Sequence, residues 1–347
     1  MALHQDHFAL VIGVDDYPKY RSLNGAKQDA HDFHDWLLDP VSGGGLPADN
    51  AWLVLSSPQP ARPIHNDIDD ALVALLDRTG SHAERLYLYF SGHGLSRTNT
   101  ATDLCLSQWS MRRKGLALDS EDYLSMLSDS GIFREIVLLL DCCRIRKVRR
   151  RALRPTLDPA RPADGAASTR TFVGYATEFL NAAHEAALDE ASDQDDSGGP
   201  VVRGHFTRAL ISALQGAAAD PKGGVMASKL KNYLEVHTPE IACLANHTQK
   251  PEIRNGLPSN PEPVFGSALP PASPPTVPVV ISFSTPDDRK FVLENGNLDV
   301  IMQATARDGV RNLDLSRGNY FLREQNGPAE TSIRITGHET EPVNVAV

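Results

Sequence analysis

The chain has 347 residues, is 41% hydrophobic and 22% charged, and carries a formal net charge of −10. That acidic balance argues against a general nucleic-acid binder, and no apolar run approaches the ~18 residues of a membrane span. Four cysteines, two of them adjacent, make no disulfide framework, and Met1 to Asp6 lacks the basic and apolar regions of a signal peptide. These features point to the cytoplasm and to reactive or buried thiols.

In chain order, Phe8–Val14 (FALVIGV) reads as a buried parallel strand and Ala26–Leu38 as a helix with Ala26, Ala30, Phe33 and Leu37 on one face. Ala51–Leu55 is a second strand, and Ile64–Leu76 an amphipathic helix. Arg85–Phe90 (RLYLYF) is the third strand and delivers Ser91-Gly92-His93-Gly94. Leu104–Leu106 reads as a short edge element, and Asp119 as the N-cap of a helix running through Tyr123–Leu127. Glu135–Leu140 (EIVLLL) is the fourth strand and delivers Asp141-Cys142-Cys143-Arg144.

Thr171–Ala176 resumes as a strand, Phe179–Ala187 reads as a short helix, and Phe206–Leu214 and Val225–Val236 as two further helices. Strands alternating with helices on short connections predict an α/β fold with a parallel-rich sheet. Between Pro258 and Pro278 lie eight prolines, a stiff linker. Beyond it, short runs (Val279–Phe283, Leu298–Ala304, Tyr320–Arg323, Ser332–Thr336, Pro342–Val345) alternate with the turns Asn295-Gly296, Asp308-Gly309, Arg317-Gly318 and Asn326-Gly327. They predict a small immunoglobulin-like β-sandwich. The expected division is therefore 1–257, a linker at 258–278, and an accessory domain at 279–347.

His93 and Cys143 each follow a strand end, where an open α/β sheet presents chemistry. A thiol nucleophile needs a base to form thiolate and donors to hold an oxyanion. His93 is the candidate base, and the backbone N–H groups of Gly94 and Cys143 are the candidate oxyanion donors. Residues two apart at a strand end point the same way, so Asp141 and Cys143 share a cleft while Cys142 faces the core. No zinc site is expected: Cys142 and Cys143 are adjacent, and Cys105 and Cys243 have no His at ligand spacing. Gly43-Gly44-Gly45 precedes Leu-Pro rather than a phosphate-loop helix, which excludes that nucleotide-binding motif.

With these residues the chain resembles the caspase-like superfamily, nearer metacaspases and bacterial orthocaspases than animal caspases, over roughly Phe8 to Gly256. The resemblance rests on Phe90-Ser91-Gly92-His93-Gly94 and Asp141-Cys142-Cys143. Leu23-Asn24-Gly25-Ala26 with Asp29, and Gly204-His205-Phe206-Thr207, are weaker echoes. It implies the His93–Cys143 dyad of a cysteine endopeptidase. Asp141, two residues before the nucleophile, lies at the base of the pocket for the substrate side chain, and a buried carboxylate there selects Arg or Lys. The resemblance adds Asp29 and Ser91 to that pocket. One departure concerns the loop after the nucleophile, which continues Arg144-Ile145-Arg146 where relatives carry His-Ser-Gly.

Arg144 to Arg154 holds seven basic residues and no acid. Arg146, Lys147, Arg149, Arg150, Arg151 and Arg154 form a candidate processing loop, which would make the chain a zymogen cut there by itself or by an upstream protease; the competing reading of this run is a patch for nucleic acid or an acidic partner. The acidic stretch from Glu185 to Asp196 reads as a solvated loop; a Ca²⁺ site at Asp189–Asp196 lacks EF-hand spacing. No cofactor is expected. The expected partners are protein substrates with a basic residue before the scissile bond, not nucleic acid or membrane, in a bacterial defence or cell-death setting. The rival expectation is a catalytically silent scaffold that binds partners through its β region.

Overall fold

The computed structural model describes residues 4–145, 152–159, 168–187, 201–220, 223–260, 262, 264–265, 276–296, 298–316, 318–335 and 342–347. Strands β1 (His7–Gly13), β2 (Ala51–Leu55), β3 (Ala83–Ser91), β7 (Phe133–Asp141), β8 (Arg170–Tyr175) and β11 (Glu252–Asn255) form a six-stranded sheet in the order β11-β8-β7-β3-β1-β2. Every pairing is parallel except β8 with β11. Between β3 and β7 the chain makes a small antiparallel sheet of β4 (Gly94–Ser96), β5 (Thr102–Cys105) and β6 (Ala117–Asp119).

The central strands are apolar along their whole length because both faces are covered. Leu86, Leu88 and Phe90 of β3 and Ile136, Leu138 and Leu140 of β7 pack on one face with helices α2 (His65–Thr79) and α3 (Ser120–Ser130). The alternate residues Tyr87, Tyr89, Val137 and Leu139 pack on the other with α1 (Ala26–Leu38), α4 (His205–Ser212) and α5 (Ala227–Leu244). Truncating one of these side chains, as in Leu138→Ala, removes about 2–5 kcal/mol.

Local chemistry sets where the helices begin. Asp119 caps α3 by accepting from Glu121 N and Asp122 N at 3.2 and 3.4 Å, as its spacing predicts. Helix α1 follows Gly25, which has no side-chain cap; the Asp15 carboxylate instead accepts from Ala26 N and Lys27 N at 2.8 and 3.2 Å.

Two expectations change. The helix expected at Phe179–Ala187 is absent: Leu180 has a left-handed φ of 73°, and Glu185–Ala187 is a strand, β9, paired antiparallel with β10 (Val202–Gly204). Its backbone finds partners across the cleft instead of along a helix. Helix α5 runs well beyond Val236, through Pro239, because Ile241 and Ala242 still face the core. Within the proline-rich stretch, Val264–Phe265 pair with Val225–Met226, and Phe265 is buried in the α/β core.

The C-terminal region holds two sheets: β15-β12-β18 and β14-β13-β16-β17, comprising β12 (Thr276–Ser282), β13 (Lys290–Asn295), β14 (Val300–Thr305), β15 (Val310–Ser316), β16 (Gly318–Glu324), β17 (Glu330–Ile335) and β18 (Val343–Ala346). Pairing is antiparallel except between β12 and β18. Val279 and Ile281 from one sheet and Phe291, Leu293 and Leu322 from the other share a single core. This region meets α5 where the buried His237 Nε2 donates to Gly296 O at 3.0 Å and Lys229 pairs with Asp299 at 3.0 Å.

Candidate active site

The parallel register of β3 and β7 sets Ser91 opposite Asp141, and Gly92 N donates to Asp141 O at 3.2 Å. His93 and Cys143 each follow two residues later. The two chains stay in step beyond them, with Leu95 bridged to Ile145 and Ser96 N donating to Ile145 O at 3.2 Å. Gly94 makes this close approach possible: a Cβ there would sit 2.5 Å from both Cys142 Sγ and Cys143 O. His93 and Cys143 line an open cleft of about 330 Å³ together with Asp29, Ser91, Asp141 and Glu185.

The imidazole is fixed from several sides. His93 N donates to Tyr17 Oη at 2.9 Å, and the rings of Tyr17 and Tyr20 lie 4.7 and 5.1 Å from its own. His93 Nε2 lies 2.7 Å from the carbonyl oxygen of Arg21. A carbonyl only accepts, so Nε2 carries the proton and the neutral ring is basic at Nδ1. Cys143 is half-buried and its Sγ donates to Ala183 O at 3.4 Å. Cys142 is buried against Gly94, and burial followed by the neighbouring Cys143 pushes its thiol well up. The arrangement thus combines a cleft-facing thiol with an oriented base, and keeps the adjacent thiol in its poorly nucleophilic protonated form.

Beside them lie two buried carboxylates. Asp141 Oδ2 accepts from Thr207 N at 3.0 Å and Thr207 Oγ1 at 2.7 Å, and Tyr89 Oη donates in turn to Thr207 Oγ1 at 2.5 Å. Asp29 accepts from Ser91 Oγ at 3.0 Å and from Gly204 N at 3.0 and 3.1 Å. Gly204 fits between them only without a side chain, since its Cβ would lie 2.1 Å from Asp141 Oδ2. Among the described residues neither Asp29 nor Asp141 has a cationic partner. Burial, then the charge of Asp141, raises Asp29 well above the usual carboxylate range; burial raises Asp141 against the opposing Thr207 bonds. A guanidinium or ammonium entering the cleft would supply the missing counter-charge.

The sequence-predicted residues Asp29, Ser91, His93, Asp141 and Cys143 therefore meet in one cleft, with Gly94 packed against the cysteine loop. Sequence reading missed several neighbours. Glu185, read as part of a solvated acidic run, is a half-buried wall of the cleft, its carboxyl raised chiefly by burial. His184 and His247 line the cleft and stack at 4.3 Å, with the buried His205 behind them, its Nε2 2.9 Å from His247 Nδ1. Burial, then the other two rings, lowers His205 to about 4. Ala-His-Glu, Gly-His-Phe and Asn-His-Thr fragments far apart in the sequence hold these residues, and none of them signals a cluster.

Arg144 also departs from the loop reading. Its side chain is fully buried, paired with Glu252 at 2.5 Å, donating to Thr177 O at 3.1 Å and to Asn99 O, and stacked 3.9 Å over Tyr175. Arg146, Lys147, Arg149, Arg150 and Arg151 lie outside the described residues, as does the acidic stretch Asp189–Asp196. Arg154 is ion-paired with Asp122 at 2.8 Å, next to Leu153, which is bridged to Leu118. No helix among the described residues is long and apolar enough to cross a membrane.

Comparison with known proteins adds three findings. The family model for the caspase domain, Peptidase C14, matches residues 6–260. A "Probable protease" of a Desulfuromonadales bacterium is 30% identical over 153 residues, covering 40% of this chain and 18% of that protein's length. Two solved structures are similar: caspase-1 from Spodoptera frugiperda (12% identity, TM-score 0.41, 74% of this chain and 89% of that one) and pro-sf-caspase-1 (11%, 0.42, 74% and 94%).

Proposed function

Because the chain belongs to the caspase domain family, peptidase C14, whose model spans residues 6–260, we propose that it is a cysteine endopeptidase cutting proteins after Arg or Lys. The observation that carries this reading is the Ser91–Asp141 register, which brings a thiol, an imidazole and an acidic pocket to one cleft.

In this reading His93 Nδ1 takes the proton of the Cys143 thiol, and the thiolate attacks the carbonyl carbon of the scissile peptide bond. The resulting oxyanion is held by the N–H groups of Gly94 and Cys143. Collapse of the intermediate breaks the C–N bond, the imidazolium returns its proton to the leaving amine, and a thioester remains on Cys143. Water, deprotonated by His93, then releases the acid and regenerates the thiol. Asp141, Asp29 and Ser91 receive the basic side chain before the scissile bond; its positive charge offsets the burial of two carboxylates.

Hydrolysis of fluorogenic peptides ending in Arg, Lys or Asp, by wild type, Cys143→Ala and Cys142→Ala, tests this. The expected result is cleavage after Arg or Lys that disappears with Cys143→Ala and persists with Cys142→Ala. Cleavage after Asp, or activity surviving in Cys143→Ala, contradicts it.

Activation belongs to the same proposal. The basic run Arg146–Arg154 supplies cleavable residues directly after the nucleophile loop, so the chain is a zymogen processed there by itself or by another protease. Gel analysis of wild type beside Cys143→Ala separates the two: self-processing predicts fragments only in wild type, and a fully active intact chain contradicts maturation. We further propose that 279–347, with Thr276–Pro278 joining its first strand, is an immunoglobulin-like accessory sandwich, and that the linker expected at 258–278 is narrower, since Phe265 packs in the α/β core. The shared core of its two sheets supports that reading. A cytoplasmic, cofactor-independent enzyme of bacterial defence or cell death is the setting this reading implies.

A further inference from the structure

Resting on the basic-side-chain pocket proposed above, we infer that Glu185 is a positioning residue for it. Glu185 locks helix α1, and with it Asp29, to the opposite wall of the cleft and so sets the affinity for a guanidinium or ammonium group.

A closed circuit of contacts carries this. On β9, Glu185 lies directly opposite Gly204 of β10. The N–H of Gly204 donates to both oxygens of Asp29, at 3.0 and 3.1 Å. Asp29 lies in the first turn of α1. The chain entering α1 returns to the starting point: Asn24 N and Gly25 N donate to Glu185 Oε1 and Oε2 at 3.1 and 3.0 Å. Each carboxylate oxygen of Glu185 thus holds one backbone N–H, and a carboxylate accepts such bonds more strongly than a neutral group. Without Glu185, Asn24 and Gly25 lose this tie, and β9 loses two hydrogen bonds to the start of α1.

The position of Glu185 also explains why it does not act in bond making. Its oxygens are committed to the α1 entry, whereas the atom two residues before it, Ala183 O, is the one that meets Cys143 Sγ. Its charge nevertheless adds to the field at the cleft and contributes to the raised state of Asp141.

The test measures binding apart from catalysis. The full chain is alkylated at Cys143 with iodoacetamide in the presence of increasing arginine amide, and the concentration giving half-protection is compared among wild type, Glu185→Gln and Glu185→Ala. Glu185→Gln keeps one acceptor oxygen but turns an NH₂ toward the second N–H. The expected half-protecting concentration rises about tenfold in Glu185→Ala and by less in Glu185→Gln. On arginyl peptides KM rises by the same factors while kcat changes less. Melting curves confirm folding, and if Glu185→Ala does not fold, the Gln variant carries the comparison. Equal half-protection in wild type and both folded variants overturns the role of Glu185 while leaving the pocket intact. Absence of protection in wild type overturns the pocket itself, and this inference with it.

Discussion

Ser91 and Asp141 are register partners on adjacent parallel strands, and the two residues that follow each of them bring His93 and Cys143 to the same edge of the sheet. The spacing is rigid because it is set by two strands buried on both faces, β3 and β7, and not by the loops. The same register draws Ser91 onto Asp29 and leaves Asp141 to Thr207, so one pairing organises both the reactive groups and the pocket.

Gly94→Ala tests how tightly the two strand ends are fitted. The added methyl would meet Cys142 Sγ and Cys143 O at 2.5 Å, and the second of these is backbone that cannot swing away. Overpacking of this kind costs about 1–3 kcal/mol. Urea denaturation should register that loss, and peptide hydrolysis should fall by more than stability alone accounts for, because the nucleophile loop shifts. A variant with wild-type stability and activity would contradict the packing described.

Asp141→Asn keeps the shape of the pocket and removes its charge. Arginyl peptides should then bind at least about tenfold more weakly, with KM carrying most of the change. Thr207→Val leaves Asp141 charged but strips its Oγ1 donor, and should shift the same parameter in the same direction by less. Unchanged KM in Asp141→Asn would remove Asp141 from the pocket.

The pH dependence follows from the raised carboxyls. In the empty cleft, burial favours the protonated forms of Asp29 and Asp141, so the carboxyls hold protons at pH values above the ordinary carboxylate range. A bound guanidinium requires the ionised forms. Binding of arginine amide at mildly acidic pH should therefore release protons, and its affinity should weaken as pH falls through that raised range. Calorimetry in buffers of different ionisation enthalpy reads the release directly; it should shrink in Asp141→Asn. Proton uptake on binding would reverse the sign and contradict the assignment.

Arg144→Met addresses the residue after the nucleophile. The substitution removes the bonds to Thr177 O and Asn99 O and the stack on Tyr175, while Glu252 keeps Arg254 as a partner at 2.5 Å. The expected loss is about 2–3 kcal/mol in chemical denaturation, below that of a fully orphaned buried charge. Arg144→Lys should recover little, since an ammonium cannot stack and fork in this way. If the intact chain were cut after Arg144, this buried role would be wrong; N-terminal sequencing of processing fragments checks it.

Much of the site was legible because its signals are local. An apolar strand followed by Ser-Gly-His-Gly, and another followed by Asp-Cys-Cys, declare both the strand ends and the side of the sheet on which each residue emerges. The first four sheet strands and α1 follow from the same short-range patterning. Other features depend on partners far along the chain. Arg21 contributes a backbone carbonyl, which any residue could supply, so nothing in its identity announces contact with His93. Glu185 looked like the first residue of a solvated acidic run because only the fold brings it to Asn24 and Gly25. Strand β15 was missed because Val310–Ser316 is an edge strand with mostly exposed side chains, whereas β13 carried a local signal, the apolar run Phe291-Val292-Leu293 before the Asn295-Gly296 turn, that the reading passed over.

The most direct test of the central claim is covalent labelling with an acyloxymethyl ketone bearing an arginine side chain, followed by peptide mapping by mass spectrometry. The account predicts a single adduct on Cys143, suppressed by excess arginine amide and by His93→Ala, and formed far more slowly by the aspartyl analogue. An adduct on Cys142, or faster labelling by the aspartyl analogue, would contradict it.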